Sequence, residues 1–384
     1  MFFELRPVGN RIRLASTPFD TELLAPFSFI GFDSGTSALA EVLIALRKER
    51  PEVKHPKVFL PAYTCPDIVS SCLYANVEPI LIDFDTNSTW MCLSELNRKI
   101  DESTLAIIAI NFLGIPERIK EIRKLVDSRK ITIIEDSAQG FPIKKLEKYW
   151  SGDVVIVSFG RGKPLNLLGG GGVLIDLKGK NKVLGKQIEL RQKKLPISGN
   201  TFIYRLKVII FNIISLPFFY YFLTKLPFLS LGSTIYHQLD NTAQLPKDTK
   251  NQISVNYKKY VSKPSLRSAY DDMFITLNTD IFVSLPINSK LESSFPLLRY
   301  PILILDEKVR NKIYEQLLKE GLGVSSMYKK TLPNIHGVKE LLNGPVKTFP
   351  NADLLSLSLL TLPMHEDVKQ KHIKKIQDIF LNCQ

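Results

Sequence analysis

Between residues 30 and 175 the chain alternates short apolar runs with longer stretches of helical period. The runs are KVFLPAY, PILIDF, TLAIIAINF, ITIIED and DVVIVSF, and segments such as TSALAEVLIALRKER and ERIKEIRKLVDSRK lie among them. Short apolar runs bounded by turn residues read as strands buried on both faces. Strands that alternate with helices call for crossover connections and a doubly wound α/β sheet. Sheets of that kind take their ligands at the carboxyl ends of the strands. Chemistry is therefore expected in the residues that follow each run.

Past residue 290 the pattern changes. RYPILIL, the helix-like DEKVRNKIYEQLLKEG, a GVSSMY segment and the amphipathic HEDVKQKHIKKIQDIFLN suggest a smaller α+β domain. The expected division is a large α/β domain over residues 1–240 and a small C-terminal domain over 241–384. Between them VIIFNIISLPFFYYFLTKLPFLSL, residues 208–231, is apolar and aromatic but is interrupted by Asn212, Pro217, Lys225 and Pro227. A spanning helix needs about 20 unbroken apolar residues. The favoured expectation is a buried connector or a dimer-interface element. The other reading is a peripheral patch at the inner face of a membrane, where aromatic and basic side chains suit the headgroup zone.

Hydrophobic residues make up 45% of the chain and charged residues 23%, enough for a sizeable core. The formal charge is +13, which draws phosphorylated metabolites or an anionic surface. The basic residues are spread along the chain without a long Lys/Arg tract, so nucleic acid is not an expected partner. Cys65, Cys72, Cys92 and Cys383 form no CxxC pair and have no histidines at metal spacing, so free thiols and no metal are expected. The opening MFFELRPVGNRIRL lacks the pattern of a secretory signal, which makes the cytoplasm the expected compartment.

Four clusters follow apolar runs. In FDSGTSAL, residues 32–39, small and hydroxyl residues open a helix, where backbone N–H groups and the dipole favour an anion. A plain helix cap is the competing reading. In IIEDSAQ, Asp136 follows a strand, where a carboxylate needs a cationic partner, and Gln139 offers an amide donor. In SFGRGKPLNLLGGGG, Ser158 can donate to a phosphate and Lys163 leaves a strand on a tight turn. Desolvation there would free its amine as a nucleophile. Glycines 160, 162 and 169–172 are expected to let backbone approach a ligand. In FLPAYTCPD, Tyr63 offers either a flat face to a ring or a core aromatic.

Taken in this order, SGTSAL, LPAYT, IIEDSAQ and SFGRGK with its glycines resemble the DegT/StrS-type sugar aminotransferases that depend on pyridoxal phosphate. The resemblance extends more faintly through RYPILIL, GVSSMY and LSLLTLPMH. It implies the type I fold of such transferases, a large mixed-sheet α/β/α domain with a smaller C-terminal α+β domain. It further implies that Lys163 holds pyridoxal 5'-phosphate covalently and shuttles protons, that Asp136 pairs with the ring nitrogen, and that Gln139 contacts the ring hydroxyl. Gly35, Thr36, the Ser37 backbone and Ser158 would cradle the phosphate. The family often places an aromatic after the threonine of LPAYT to stack on the ring. Here that position is Cys65, and Tyr63 is expected to substitute. The family's C-terminal His-Tyr pair falls on Met327 and Tyr328, and FIYRL puts Ile203 where the partner's phosphate-binding asparagine is usual.

The implied activity is transfer of an amino group, with glutamate as donor, to a keto sugar carried on a nucleotide, for polysaccharide or amino-sugar synthesis by a homodimer. Dehydratases of the family replace the lysine by histidine, and Lys163 is retained here. The competing expectations are another reaction on the same cofactor, such as a lyase or acyl transfer, and a non-catalytic protein that associates with a membrane.

Overall fold

The computed structural model describes residues 3–126, 129–143, 146–197, 199–226, 234–277, 280–342 and 348–383. Seven strands form the large sheet: β1 (Ser28–Phe32), β2 (Lys57–Pro61), β3 (Glu78–Ile82), β4 (Thr104–Ile110), β5 (Thr132–Asp136), β6 (Val154–Ser158) and β7 (Gly171–Ile175). Their order is β1-β7-β6-β5-β4-β2-β3. The pairs from β6 through β5, β4 and β2 to β3 are parallel, and β7 runs antiparallel between β6 and β1.

Helices α1 (Gly35–Glu49), α2 (Asp67–Tyr74), α3 (Leu93–Lys99) and α4 (Ile119–Val126) supply the crossovers. The fully buried β4 shows how the sheet is filled from both sides. Its Ala106, Ile108 and Ile110 pack in the cluster that holds Leu39, Val42 and Leu43 of α1 and Val69 of α2. Its Ile107 and Ala109 pack in another, with Leu96 of α3 and Ile122 of α4. This is the period-two alternation of a strand with helices on both faces. The remaining helices are α5 (Leu146–Tyr149), α6 (Lys182–Gln192), α7 (Thr201–Ile214), α8 (Pro217–Thr224), α9 (Lys247–Val261), α10 (Arg267–Ile275), α11 (Leu285–Asn288), α12 (Glu307–Lys319), α13 (Pro350–Ser358) and α14 (Gln370–Leu381). With β8 (Phe282–Ser284), β9 (Arg299–Ile304) and β10 (Leu359–Pro363) the last of these build a second, antiparallel sheet in the order β10-β9-β8.

The five apolar runs correspond to β2 through β6, and RYPILIL to β9. The 208–231 segment departs from the favoured expectation. Residues 227–231 lie outside the described residues, and the rest forms α7 and α8, joined at a 90° bend. Val208 is fully buried, yet Phe202, Ile209 and Phe222 are about half exposed or more. A connector buried within its own chain is thereby corrected. The inner side of the helices packs on the body, and the outer side is exposed among the described residues.

The glycine run also has a different cause from the one expected. Gly170 takes a φ of +91°, which a side chain resists. A Cβ on Gly171 would stand 2.4 Å from the Gly35 nitrogen and 2.6 Å from the Ser34 carbonyl carbon, while one on Gly172 would meet the Phe29 ring at 2.3 Å. Gly169 faces nothing within 4 Å. At 171 and 172 the run clears room for the start of α1 and for β1, not for a ligand. Gly171→Ala is expected to destabilise the fold by about 3 kcal/mol through backbone overpacking, and Gly169→Ala by less than about 0.5 kcal/mol. Denaturant titration of the two variants checks the contrast, and equal losses would contradict it.

Candidate active site

Strand register brings the four clusters to one edge. Asp136 stands opposite Ile110 and Ile156 at the end of β5, and Ser158 opposite Gly171 at the end of β6. Phe32, the last residue of β1, is opposite Gly171 on its other side. Tyr63 and Cys65 follow directly on β2. All are carboxyl ends except the amino end of β7, as a doubly wound sheet requires of its ligand edge.

The start of α1 offers the donors that an anion requires. Ser34 caps the helix, its Oγ accepting the Ser37 N–H at 2.9 Å. The Gly35 and Thr36 N–H groups have no partner within the helix, and the dipole places partial positive charge there. A Cβ on Gly35 would lie 3.0 Å from Ser158 Cβ and 3.3 Å from its Oγ, so Ser158 sits directly against these groups. Gly35, Thr36 and Ser158 are thus brought together. The Ser37 N–H is occupied by the cap, so the expected contact through the Ser37 backbone is corrected.

Asp136 is buried, and burial pushes its carboxyl up. The Ala138 N–H, 2.9 Å from Oδ1, and the Lys163 charge pull it down. Lys163 is half-buried on the loop after β6, held by its N–H to the Gly160 carbonyl at 3.2 Å, and Gly162 before it has φ +77°. Its charge is felt by both Asp136 and Cys65. Nearby, Glu135 braces the end of β5. Its Oε1 accepts from Asn111 Nδ2 at 2.8 Å, and its Oε2 accepts the Ser151 and Gly152 N–H groups at 2.8 Å each. Three donors to a fully buried acid rigidify the strand end, although burial still pushes its carboxyl up. Its sequence signal was the pair of adjacent acids in IIEDSAQ.

Gln139 is also used on both sides. Its Oε1 accepts the Leu113 N–H at 2.9 Å and its Nε2 donates to the Tyr328 hydroxyl at 3.0 Å, with one further N–H on that nitrogen. Tyr63 corrects the stacking expectation. Its ring is fully buried, packed 5.6 Å from Phe112 and 5.5 Å from Tyr328 between centroids, and its hydroxyl donates to the Tyr328 carbonyl at 2.8 Å. No face is left for a ligand, so Tyr63 is a core brace. The half-buried side chain at that wall is Cys65, whose thiol burial pushes up to about 11. It interacts with the Tyr328 hydroxyl, itself held well above the usual phenol range by burial and by Cys65. Met327, before it, has φ +52°, a left-handed turn for a side-chain-bearing residue that costs on the order of 1 kcal/mol. The second sheet therefore closes the site through Tyr328, a residue the GVSSMY motif flagged only by resemblance.

This donor set fits pyridoxal phosphate. The start of α1 with Ser158 would hold a dianion, the buried Asp136 carboxylate would meet a ring cation, and the Lys163 amine lies close enough for both Asp136 and Cys65 to sense its charge. Among the described residues no group of three His, Cys, Asp or Glu side chains could hold a metal ion.

Residues 23–184, which contain all of these groups except Tyr328, match the model of the DegT/DnrJ/EryC1/StrS aminotransferase family. Over 145 residues the chain is 33% identical to GDP-perosamine synthase of Escherichia coli O157:H7, covering 37% of this chain and 38% of that enzyme's length. A longer match, 22% identical over 363 residues, is to dTDP-4-amino-4,6-dideoxy-D-glucose transaminase of Escherichia coli and covers 91% of this chain and 84% of the relative. The structure of Helicobacter pylori PseC, an aminotransferase involved in the biosynthesis of pseudoaminic acid, superposes with a TM-score of 0.71. It is 15% identical and covers 99% of each chain, which establishes the shared fold. The family match thus lies in residues 23–184, which hold the sheet edge just described, and the fold as a whole is that of the solved sugar aminotransferases.

Proposed function

We propose that this protein is a pyridoxal-phosphate-dependent aminotransferase that moves an amino group from an amino acid, glutamate by expectation, to a keto sugar carried on a nucleotide. The observation that carries the reading is the placement of Lys163, Asp136 and the start of α1 around one sheet edge. When bound, the cofactor supplies an electron sink for breaking a C–H bond beside nitrogen. The chain's own groups do the rest. Gly35 and Thr36 N–H groups and Ser158 bind the phosphate. Asp136 keeps the ring nitrogen charged, Gln139 and Tyr328 orient the ring hydroxyl, and Lys163 Nζ holds the cofactor and moves the proton at the substrate carbon.

Two further features suit the substrates. A cavity of about 600 Å³ beside Met327 is lined by Ser325, Lys329, Lys330 and His336, a basic wall fit for a diphosphate. Arg299, at the start of β9, has a buried Nε without a hydrogen-bond partner, and its charge is felt by Tyr63. It is the cation available to a substrate carboxylate. The same reading includes a homodimer, a cytoplasmic setting with peripheral contact to the inner membrane face through the 208–231 segment, and a division of labour between residues 1–240 and 241–384.

Purified protein mixed with pyridoxal phosphate is expected to show a visible absorption band that glutamate converts to the amine form of the cofactor. Lys163→Ala is expected to lose the band and to lower turnover by on the order of 10²–10⁴-fold. A wild type that takes up no cofactor, or a bound cofactor that no amino acid converts, would overturn the reading. Arg299→Gln should keep the band and raise KM for the amino donor roughly 10- to 100-fold, the loss of one charge-assisted pair. An unchanged KM would remove Arg299 from the substrate site.

A further inference from the structure

We propose that the outer face of α7 and α8 docks in the plane of an anionic lipid surface, with the apolar side chains inserted at headgroup depth and flanking cations on the lipid phosphates. This deepens the peripheral placement proposed above and does not depend on the catalytic chemistry.

The face has the period of an amphipathic helix turned outward. Phe202, Ile203, Leu206, Ile209, Ile210 and Ile213 of α7 fall on one stripe, and each is between 46% and 75% exposed. At about 100° per residue, Arg205 and Lys207 lie on opposite borders of that stripe, where long basic side chains snorkel to headgroups. Both are exposed, and neither forms an ion pair among the described residues. Phe218, Phe219 and Phe222 continue the apolar surface on α8, each about half exposed, and Lys225 closes it.

The inner face excludes a transmembrane course. Asn212 exchanges two hydrogen bonds of 2.8 Å with the Ile12 backbone, Arg6 donates to the Ser215 carbonyl at 2.7 Å, and the Glu4 N–H donates to the Pro217 carbonyl at 3.1 Å. Val208 is fully buried, with Tyr204 and Phe211 packed around the same core cluster. The helices are fastened to the body along their length, no single one is long and apolar enough to cross a membrane, and the two that together would be are bent by 90° at their junction. One buried and one bare face, side by side, is the geometry of an in-plane element.

Charge selects the occupant. Residues 201–226, which hold both helices, carry three basic side chains, Arg205, Lys207 and Lys225, and no acidic one. Two copies joined face to face about a two-fold axis would oppose the same cations on α7 and α8, whereas an anionic bilayer attracts each basic residue near it.

The test is co-sedimentation of the full-length, cofactor-loaded protein with vesicles of phosphatidylcholine alone or with about one-third phosphatidylglycerol. Wild type is expected to pellet with the anionic vesicles roughly tenfold or more above the neutral ones, and less as salt rises. The double variant Ile209→Asp/Phe222→Asp should lose binding to both. Arg205→Glu/Lys207→Glu should lose the preference for the anionic lipid. Retention of the cofactor band by each variant shows that the fold survives, and because partition needs no turnover, a failed transamination assay leaves this result standing. Equal or absent partition of the wild type overturns the proposal. So does light scattering in which Ile209→Asp/Phe222→Asp splits an oligomer of a wild type that ignores vesicles, since the face would then belong to a second copy.

Discussion

The contact of β7 with the start of α1 is the constraint on which the site rests. Phe32 and Ser158 flank Gly171 in the sheet, and the backbone of Ser34 and Gly35 lies where a Gly171 side chain would stand. That approach sets the first turn of α1 against Ser158. The same hydrogen-bonded sheet places Asp136 one strand away, opposite Ile156. An anion site and a carboxylate are thereby held at fixed separation by backbone pairing rather than by mobile side chains, which is how a rigid scaffold pre-organises a cofactor.

Around this edge the protein satisfies its buried polar groups before it asks them to do chemistry. Glu135 is held by Asn111 and two backbone donors, Ser137 accepts from Trp150 Nε1 at 2.8 Å, and Gln139 is anchored by Leu113. On α1, the fully buried Glu41 meets Arg191 at 2.7 Å and Thr242 at 2.8 Å, which ties the helix to α6 and to the chain beyond α8. Tyr328 joins the second sheet to this frame through Tyr63 and Gln139.

The parallel strands were legible because each is a near-continuous apolar run, and the gathering of Asp136, Ser158 and Tyr63 at one sheet edge was legible because each follows or ends such a run. β1 was not marked, since Gly31 breaks SFIGF and its pairing with β7 is between strands distant in sequence. Tyr63 and the glycine run were assigned the wrong work for a common reason. A residue's neighbours across a sheet decide whether an aromatic is open or buried and whether a missing side chain clears a ligand or a helix, and that is not local information. The α7 stripe is the sharpest case. Its spacing is that of any amphipathic helix, and the sequence reads the same whether the stripe faces a core, a partner or a lipid.

The claim that unites the fold and the chemistry is that one amine, Lys163, holds the coenzyme between Asp136 and the start of α1. The direct measurement is peptide mass spectrometry after pyridoxal phosphate is added to the protein and the complex is reduced with borohydride. A single stable adduct on the peptide carrying Lys163, lost in the Ser158→Asp variant that repels the phosphate, is the expected result. An adduct on another lysine, or scattered over surface lysines with none at position 163, would contradict it.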